Sequence, residues 1–307
     1  MLQSKGGTEI FRGLDTGYNE VCRFRDANHV NHMILITDGR TYGDEAECLR
    51  IAQQAALQGV GISSLGIGEQ WNDQFLDKIA SLTGGSTQYV SNARNIREYL
   101  KQKFVNFSTR YADHVTYTFE LGSKTHIRYA FRLQPDLSLL DTSSPLALGS
   151  IPRDGTLSVL MELLIDAIPS GTDRVALADG RLVMDVPFRS SSQFAMHLAL
   201  DRPASVDGDL EAPPQAIVQA MSKLTLYRMQ ERARQEVAEG RIAEASRHLQ
   251  NIATHLIAQG KSELARTIMT EIGFIEQNQT YSESGGKRIK YGTRGLMLPP
   301  GILEGKL

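Results

Sequence analysis

The stretch His32-Met33-Ile34-Leu35-Ile36-Thr37-Asp38-Gly39 decides the fold of this chain. An apolar run with β-branched residues that ends abruptly in Thr-Asp-Gly is typical of a strand buried on both faces. Such strands belong to parallel sheets that are covered by helices. Ligands of open α/β sheets bind beyond the carboxyl ends of the strands. Asp38 lies at such an end, and Gly39 lets the backbone turn away from it. The sequence therefore predicts an ion or ligand site around Asp38.

Residues 1–110 alternate between helical and strand patterns, which predicts an α/β domain with a Rossmann-like parallel sheet. The strands are expected at residues 33–37, 60–67 and 87–90. Asp44 is expected to cap the second helix, and Glu47 three residues later would complete a capping box.

These 110 residues resemble the von Willebrand factor type A family. Thr37-Asp38-Gly39 resembles the last motif of that family's metal-ion-dependent adhesion site, and Gly6-Gly7-Thr8-Glu9 resembles the middle motif. The resemblance implies that Thr8 and Asp38 help to hold a divalent cation, usually Mg2+, whose shell a partner's carboxylate often completes. It also implies a bacterial protein similar to inter-alpha-trypsin inhibitor heavy chains and calcium-activated-chloride-channel-like type A proteins.

The chain departs from the family pattern because no Asp-x-Ser-x-Ser loop precedes Thr8. Only three of the family's six strands are found, so we expect a truncated domain that lacks the first strands. Mg2+ prefers about six oxygen ligands, and Thr8 with Asp38 would make an incomplete site. An ion is therefore expected only where the absent segment is supplied. Three explanations stay open: a fragment or misassigned start, an upstream chain that completes the sheet, and a degenerate domain.

Each candidate site residue also has a purely structural interpretation. Thr8 can cap the first helix, and Asp38 can be a turn aspartate that bonds to its own backbone. Asp136-Leu137-Ser138 and Asp141-Thr142-Ser143 each carry a serine two residues after an aspartate, but both lack the second serine. Both also lie in a predicted β region, so a permuted metal loop is not expected.

The period of the apolar residues changes from 3.6 to 2 between residues 111 and 204, which predicts an all-β antiparallel sandwich. Asp179-Gly180 stands between two apolar runs and is a strong hairpin signal.

Helical periodicity returns at residues 213–280, which predicts an all-α bundle of αα-hairpins. Residues 281–307 mix Ser-Gly-Gly, a basic cluster and Pro-Pro-Gly, and a flexible tail is expected there.

Composition narrows the classes of function. A net charge of -2 and a pI near 6.4 give no general electrostatic reason to expect nucleic acid or an anionic membrane as partner. No apolar segment approaches the roughly 20 residues of a membrane span, and the start lacks a signal-peptide hydrophobic region. We therefore expect a cytoplasmic protein. The two cysteines, Cys22 and Cys48, make neither a zinc site nor a disulfide framework.

Signatures of catalysis are missing from the sequence. It contains no Gly-x-Ser-x-Gly elbow, no His-Glu-x-x-His and no complete phosphate loop, so no enzyme and no catalytic or cofactor-binding residue is predicted. The first hypothesis is a non-catalytic scaffold that binds a protein partner through a carboxylate at the strand ends. The alternative, also implied by the resemblance, is an accessory subunit of an ATP-driven machine of the magnesium-chelatase type.

Overall fold

The computed structural model describes residues 9–26, 29–90, 93–187, 189, 193–204 and 212–296. These residues form a parallel sheet with its helices, two antiparallel sheets and a C-terminal set of helices. The predicted fold class is confirmed. The first elements are α1 (Ile10–Arg23), β1 (His32–Thr37), α2 (Glu45–Leu57), β2 (Gly61–Ile67), α3 (Asp73–Leu82), β3 (Thr87–Val90) and α4 (Ala93–Ser108).

The parallel sheet has the strand order β1-β2-β3 within the described residues. β1 pairs with β2 in parallel, with Thr37 opposite Gly66. The hydrogen bonds from β2 to β3 also advance in one direction, so β3 is parallel as well. The central strand β2 is buried on both faces, whereas Ile36 of the outer strand β1 is 45% exposed. The prediction of two-sided burial for β1 is therefore wrong, because β1 has a neighbour on one side only among the described residues.

Asp44 lies at the N-cap of α2, but its side chain makes no capping bond. Its carboxylate accepts instead from the backbone N–H of Phe11 at 3.0 Å and from the hydroxyl of Thr41 at 2.5 Å. The predicted capping box is wrong, because the start of α1 uses the carboxylate that the cap would need.

Two antiparallel sheets follow, a four-stranded one in the order β10-β9-β4-β7 and a three-stranded one in the order β6-β5-β8. Their strands are β4 (Arg110–Leu121), β5 (Thr125–Gln134), β6 (Ser138–Leu139), β7 (Leu146–Pro152), β8 (Ser158–Ile165), β9 (Arg174–Asp185) and β10 (Gln193–Pro203). Apolar side chains from both sheets form one core, with Val115, Tyr117, Phe119, Ala130, Leu140, Leu146 and Leu148 at its centre.

The hairpin predicted at Asp179-Gly180 is wrong, because β9 runs unbroken through both residues. Gly180 pairs with Phe119 of β4 on one side and with Leu198 of β10 on the other. A Cβ atom at Gly180 would lie 2.3 Å from the carbonyl oxygen of Thr118. The glycine therefore permits a close approach of two strands and does not mark a turn.

The C-terminal helices are α5 (Gln215–Ala238), α6 (Ile242–Ala258), α7 (Ser262–Asn278) and α8 (Gly285–Gly295). The expected flexible tail is wrong for α8, because Ile289 lies in the apolar core of the helices and Tyr291 is buried. No helix in the described part of the chain has the length and apolar character that crossing a membrane requires.

The described residues divide into two compact units. The helices from residue 213 onward share the second unit with residues 67–71, which begin at the last residue of β2, and with residues 88–92, which include most of β3. Within this unit, the buried ring of Trp71 lies 5.7 Å from that of Tyr291, and Lys287 lies over the Trp71 ring with its Nζ 5.0 Å from the ring centre.

Candidate functional site

Asp38 directly follows β1, and its side chain is exposed. The hydroxyl of the preceding Thr37 donates to the carbonyl oxygen of Gly39 at 3.0 Å, so this buried threonine stabilises the turn after the strand. The carboxylate of Asp38 is therefore presented to solvent at the carboxyl end of β1. Its role as a metal ligand stays a prediction.

The loop between β1 and α2 also fixes the start of α1. The backbone N–H of Ile10 donates to the hydroxyl of Thr41 at 3.1 Å, in addition to the bond between Phe11 and Asp44. α1 therefore begins against the loop that contains Asp38. Thr8 itself lies outside the described residues, two positions before the helix.

The described residues alone do not fit a magnesium site. No group of three or more His, Cys, Asp or Glu side chains in the described ranges could hold a metal ion. Of the two predicted ligands only Asp38 is described, whereas Mg2+ takes about six oxygens. Asp38 can supply one carboxylate contact, and we derive no part of the function from a bound ion.

A polar cluster, which we call the Asp136 cluster, joins the half-buried Asp136 to the buried Lys103, Ser86 and Arg132. Asp136 accepts from the Nζ of Lys103 at 2.6 Å and from the hydroxyl of Ser86 at 2.6 Å, and its other oxygen lies 2.7 Å from an Arg132 nitrogen. The same guanidinium donates to the carbonyl oxygens of Gly84 and Gly85 at 2.6 and 2.8 Å. The cluster thus connects the end of α3 and helix α4 to strand β5.

The charges of the Asp136 cluster stabilise one another. Burial alone would raise the pKa of Asp136, but Arg132 and Lys103 hold that pKa far below its usual range. Burial lowers the pKa of Lys103, and Asp136 opposes that change. A buried charge is retained only when it is paired and hydrogen-bonded, and this cluster meets that condition.

This cluster is not predicted from the sequence, in which Asp136 stands out only as the start of an Asp-x-Ser pair. Arg132 is four positions before Asp136, but Lys103 and Ser86 lie 33 and 50 positions away along the chain, so no local pattern could identify these two partners. Asp141, the other aspartate of that kind, pairs with Lys78 and accepts from Ser143. Both aspartates are therefore structural in this fold.

His32 at the start of β1 is half-buried. Its Nε2 lies 2.9 Å from the hydroxyl oxygen of Ser63, and its ring centre lies 4.6 Å from that of Phe107. Burial lowers the pKa of His32 well below its ordinary value, and the charges of Arg110 and Lys103 add to the effect.

A model of the von Willebrand factor type A domain matches residues 1–103. This chain carries a von Willebrand factor type A domain. The family predicted from the Thr8 and Asp38 motifs is thus confirmed. A second model, the Sll0103-like C-terminal alpha-helical domain, matches residues 215–299.

Similarity to other proteins extends over most of the chain. Protein sll0103 of Synechocystis sp. is 24% identical over 311 residues, which span 97% of this chain and 73% of that protein. The solved von Willebrand factor type A protein from Catenulispora acidiphila has a TM-score of 0.65 at 15% identity and covers 95% of this chain and 71% of its own. The ArnB paralog VWA2 from Sulfolobus acidocaldarius has a TM-score of 0.51 at 14% identity, covering 97% and 72%. At these identities the structures establish the fold alone.

Proposed function

We propose that this von Willebrand factor type A domain protein is a non-catalytic protein-interaction module. It engages its partner through the β1 surface, defined here as Ile36, Asp38 and Tyr42. The observation that carries the proposal is the exposure of these residues: Ile36 is 45% exposed, Tyr42 is 80% exposed and Asp38 between them is exposed too.

Strand β1 offers three kinds of contact to a protein. As an outer strand of the described sheet, it presents backbone N–H and C=O groups to which a partner's strand can add. Ile36 and Tyr42 supply apolar and aromatic area, which is the main source of affinity at the centre of interfaces. The carboxylate of Asp38 accepts hydrogen bonds from a cationic or polar partner group and fixes the register.

The test compares the tagged full-length protein with its Ile36→Asp variant. Both are incubated with a lysate of the host, and bound proteins are quantified by mass spectrometry and then reconstituted as purified pairs. Because the variant would bury a charge in place of Ile36, the affinity for the specific partner should fall by about tenfold or more. Leu164→Asp is the matched control, since Leu164 is an exposed apolar residue of β8. If the same proteins bind the wild type and both variants equally well, the proposal is wrong.

Metal removal tests the contribution of an ion separately. Because the described residues supply only the carboxylate of Asp38, we expect EDTA to change the affinity of a reconstituted pair by less than about twofold. A loss in EDTA that Mg2+ restores, and that Asp38→Ala abolishes, would instead assign an ion to Thr8 and Asp38.

A further inference from the structure

A cavity of about 390 Å³ lies between the end of α2, the start of β2 and the strands β4 and β7. It lies at the end of the sheet where β2 begins, whereas the β1 surface lies where β1 ends. Its volume is within the range of protein sites for small molecules, roughly 300 to 1,000 Å³. Leu57, which lines the cavity, is 82% exposed, so the mouth reaches solvent.

The wall of the cavity is mostly apolar. Leu57, Val60, Leu82, Val115 and Pro145 all line it. Such a wall favours an aliphatic or aromatic ligand body, because apolar surface is removed from water on both sides of the contact.

Two polar atoms at this wall are buried and have no hydrogen-bond partner. They are the Nε of Arg110 and the Nε2 of His114. The Arg110 side chain is 10% exposed, and its Nη1 lies 2.6 Å from an oxygen of Asp113. The pair with Asp113 leaves the Nε–H of Arg110 as a spare donor. Buried polar atoms need a hydrogen-bond partner, which a bound group in the cavity can supply to both of these atoms.

His114 is held in position by two features. Its backbone has a φ of 47°, a conformation that side chains other than glycine adopt rarely, and its ring contacts the backbone at Gly59, where a Cβ would lie 2.9 Å away. Its Nδ1 lies 2.9 Å from a carboxylate oxygen of Asp185. The carboxylate accepts from Nδ1–H, so in the neutral ring Nε2 is an acceptor. The nearest carboxylate oxygen to Nε2, that of Asp113, lies 3.8 Å away, beyond hydrogen-bond distance.

We propose that this cavity binds a small neutral ligand with a primary or secondary amide head group and an apolar body. The amide oxygen accepts from the Nε–H of Arg110, and the amide N–H donates to Nε2 of His114. An anionic head group is disfavoured, because the carboxylates of Asp113 and Asp185 outnumber the single guanidinium of Arg110.

The test titrates the full-length protein with benzamide, benzoate and acetophenone by saturation-transfer NMR and calorimetry. These probes share the ring and differ in the head group: neutral donor and acceptor, anion, and acceptor only. We expect benzamide to bind with a Kd of about 1 mM, the affinity typical of a ligand with nine heavy atoms. Benzoate and acetophenone should each bind at least about fivefold more weakly, since each lacks one matched hydrogen bond.

Variants locate the binding site. His114→Asn removes Nε2 while keeping a residue that tolerates positive φ, and Arg110→Lys removes Nε while keeping the charge beside Asp113. Each substitution should lower the affinity for benzamide by about fivefold. Ala56→Phe, which fills the cavity from α2, should abolish binding even if the other two variants fold poorly. Arg128→Lys, an exposed arginine of β5, is the control and should have no effect. Three results would each overturn the proposal. Benzoate could bind as tightly as benzamide, Ala56→Phe could leave the binding of benzamide unchanged, or benzamide could show no saturable binding at millimolar concentration.

Discussion

Asp136 is the counter-charge of two buried cations, Lys103 and Arg132, in the first compact unit. Asp136→Asn leaves Lys103 and Arg132 buried without their counter-charge, which typically costs about 3 to 5 kcal/mol. Urea unfolding of the full chain measures this loss. Asp141→Asn is the matched control, because its partner Lys78 is half exposed and such pairs contribute under about 1 kcal/mol. Equal losses in the two variants would contradict the role given to the Asp136 cluster.

His32 makes the stability depend on pH in the weakly acidic range. Its pKa is well below the ordinary value in the folded protein, whereas the unfolded chain takes up the proton near pH 6.5. The unfolded state therefore binds more protons as the pH falls, and the free energy of unfolding decreases by up to about 1.4 kcal/mol per pH unit below that value.

The expected result is a steeper fall of stability between about pH 6.5 and 5 in the wild type than in His32→Gln. Urea midpoints measured across this range give the slopes. His126→Gln is the control, because His126 is exposed beside Asp166. A wild-type slope that His32→Gln leaves unchanged would place the pH dependence elsewhere.

Residues with local roles could be predicted from the sequence, and residues with distant partners could not. The exposed aspartate after β1 follows from the apolar run and the glycine behind it. No local pattern singles out Arg110 or His114, since their positions beside the cavity depend on the fold, in which the His114 ring lies against Gly59. Asp44 was predicted as a cap, but the backbone of α1 competes for its carboxylate.

In the β-sandwich, the close packing of β4 against β9 requires a glycine at position 180. Gly180 contacts the backbone of β4 so closely that a methyl group would collide with the carbonyl oxygen of Thr118. We expect Gly180→Ala to lower the free energy of unfolding by about 1 to 3 kcal/mol, as overpacking does. Chemical denaturation measures it. Gly13→Ala in α1, where the added Cβ meets no atom within 4 Å, should hold or raise stability. A neutral Gly180→Ala would mean that β4 and β9 separate without cost.

Most of the helices and strands could be predicted from periodicity, because each has one face against a core. The three parallel strands and helices α5 to α7 follow directly from it. Two errors share a physical cause. The turn signal inside β9 is a local preference that packing against β4 overrides. The tail-like composition of α8 is likewise overridden by packing against the other C-terminal helices.

At the scale of the molecule, the chain passes repeatedly between its two units. Residues 67–71 and 88–92 belong with the C-terminal helices, although the rest of β2, α3 and the first residue of β3, Thr87, belong to the first unit. The units are therefore joined by several short, direct connections instead of one linker. We expect one unit to lose its structure when the other unfolds, since each connection is only a few residues long.

Trp71, the single tryptophan of the chain, provides the measurement. It is buried in the second unit against Tyr291 and Lys287, so its fluorescence reports on that unit, while far-UV circular dichroism reports on both. Ile268→Ala in α7 and Val115→Ala in β4 each remove a buried side chain from one unit and should cost about 1 to 5 kcal/mol. Because the connections couple the units, each variant should lower the urea midpoint of both signals together. A Val115→Ala variant that moves the circular dichroism but leaves the Trp71 transition in place would mean that the units unfold independently.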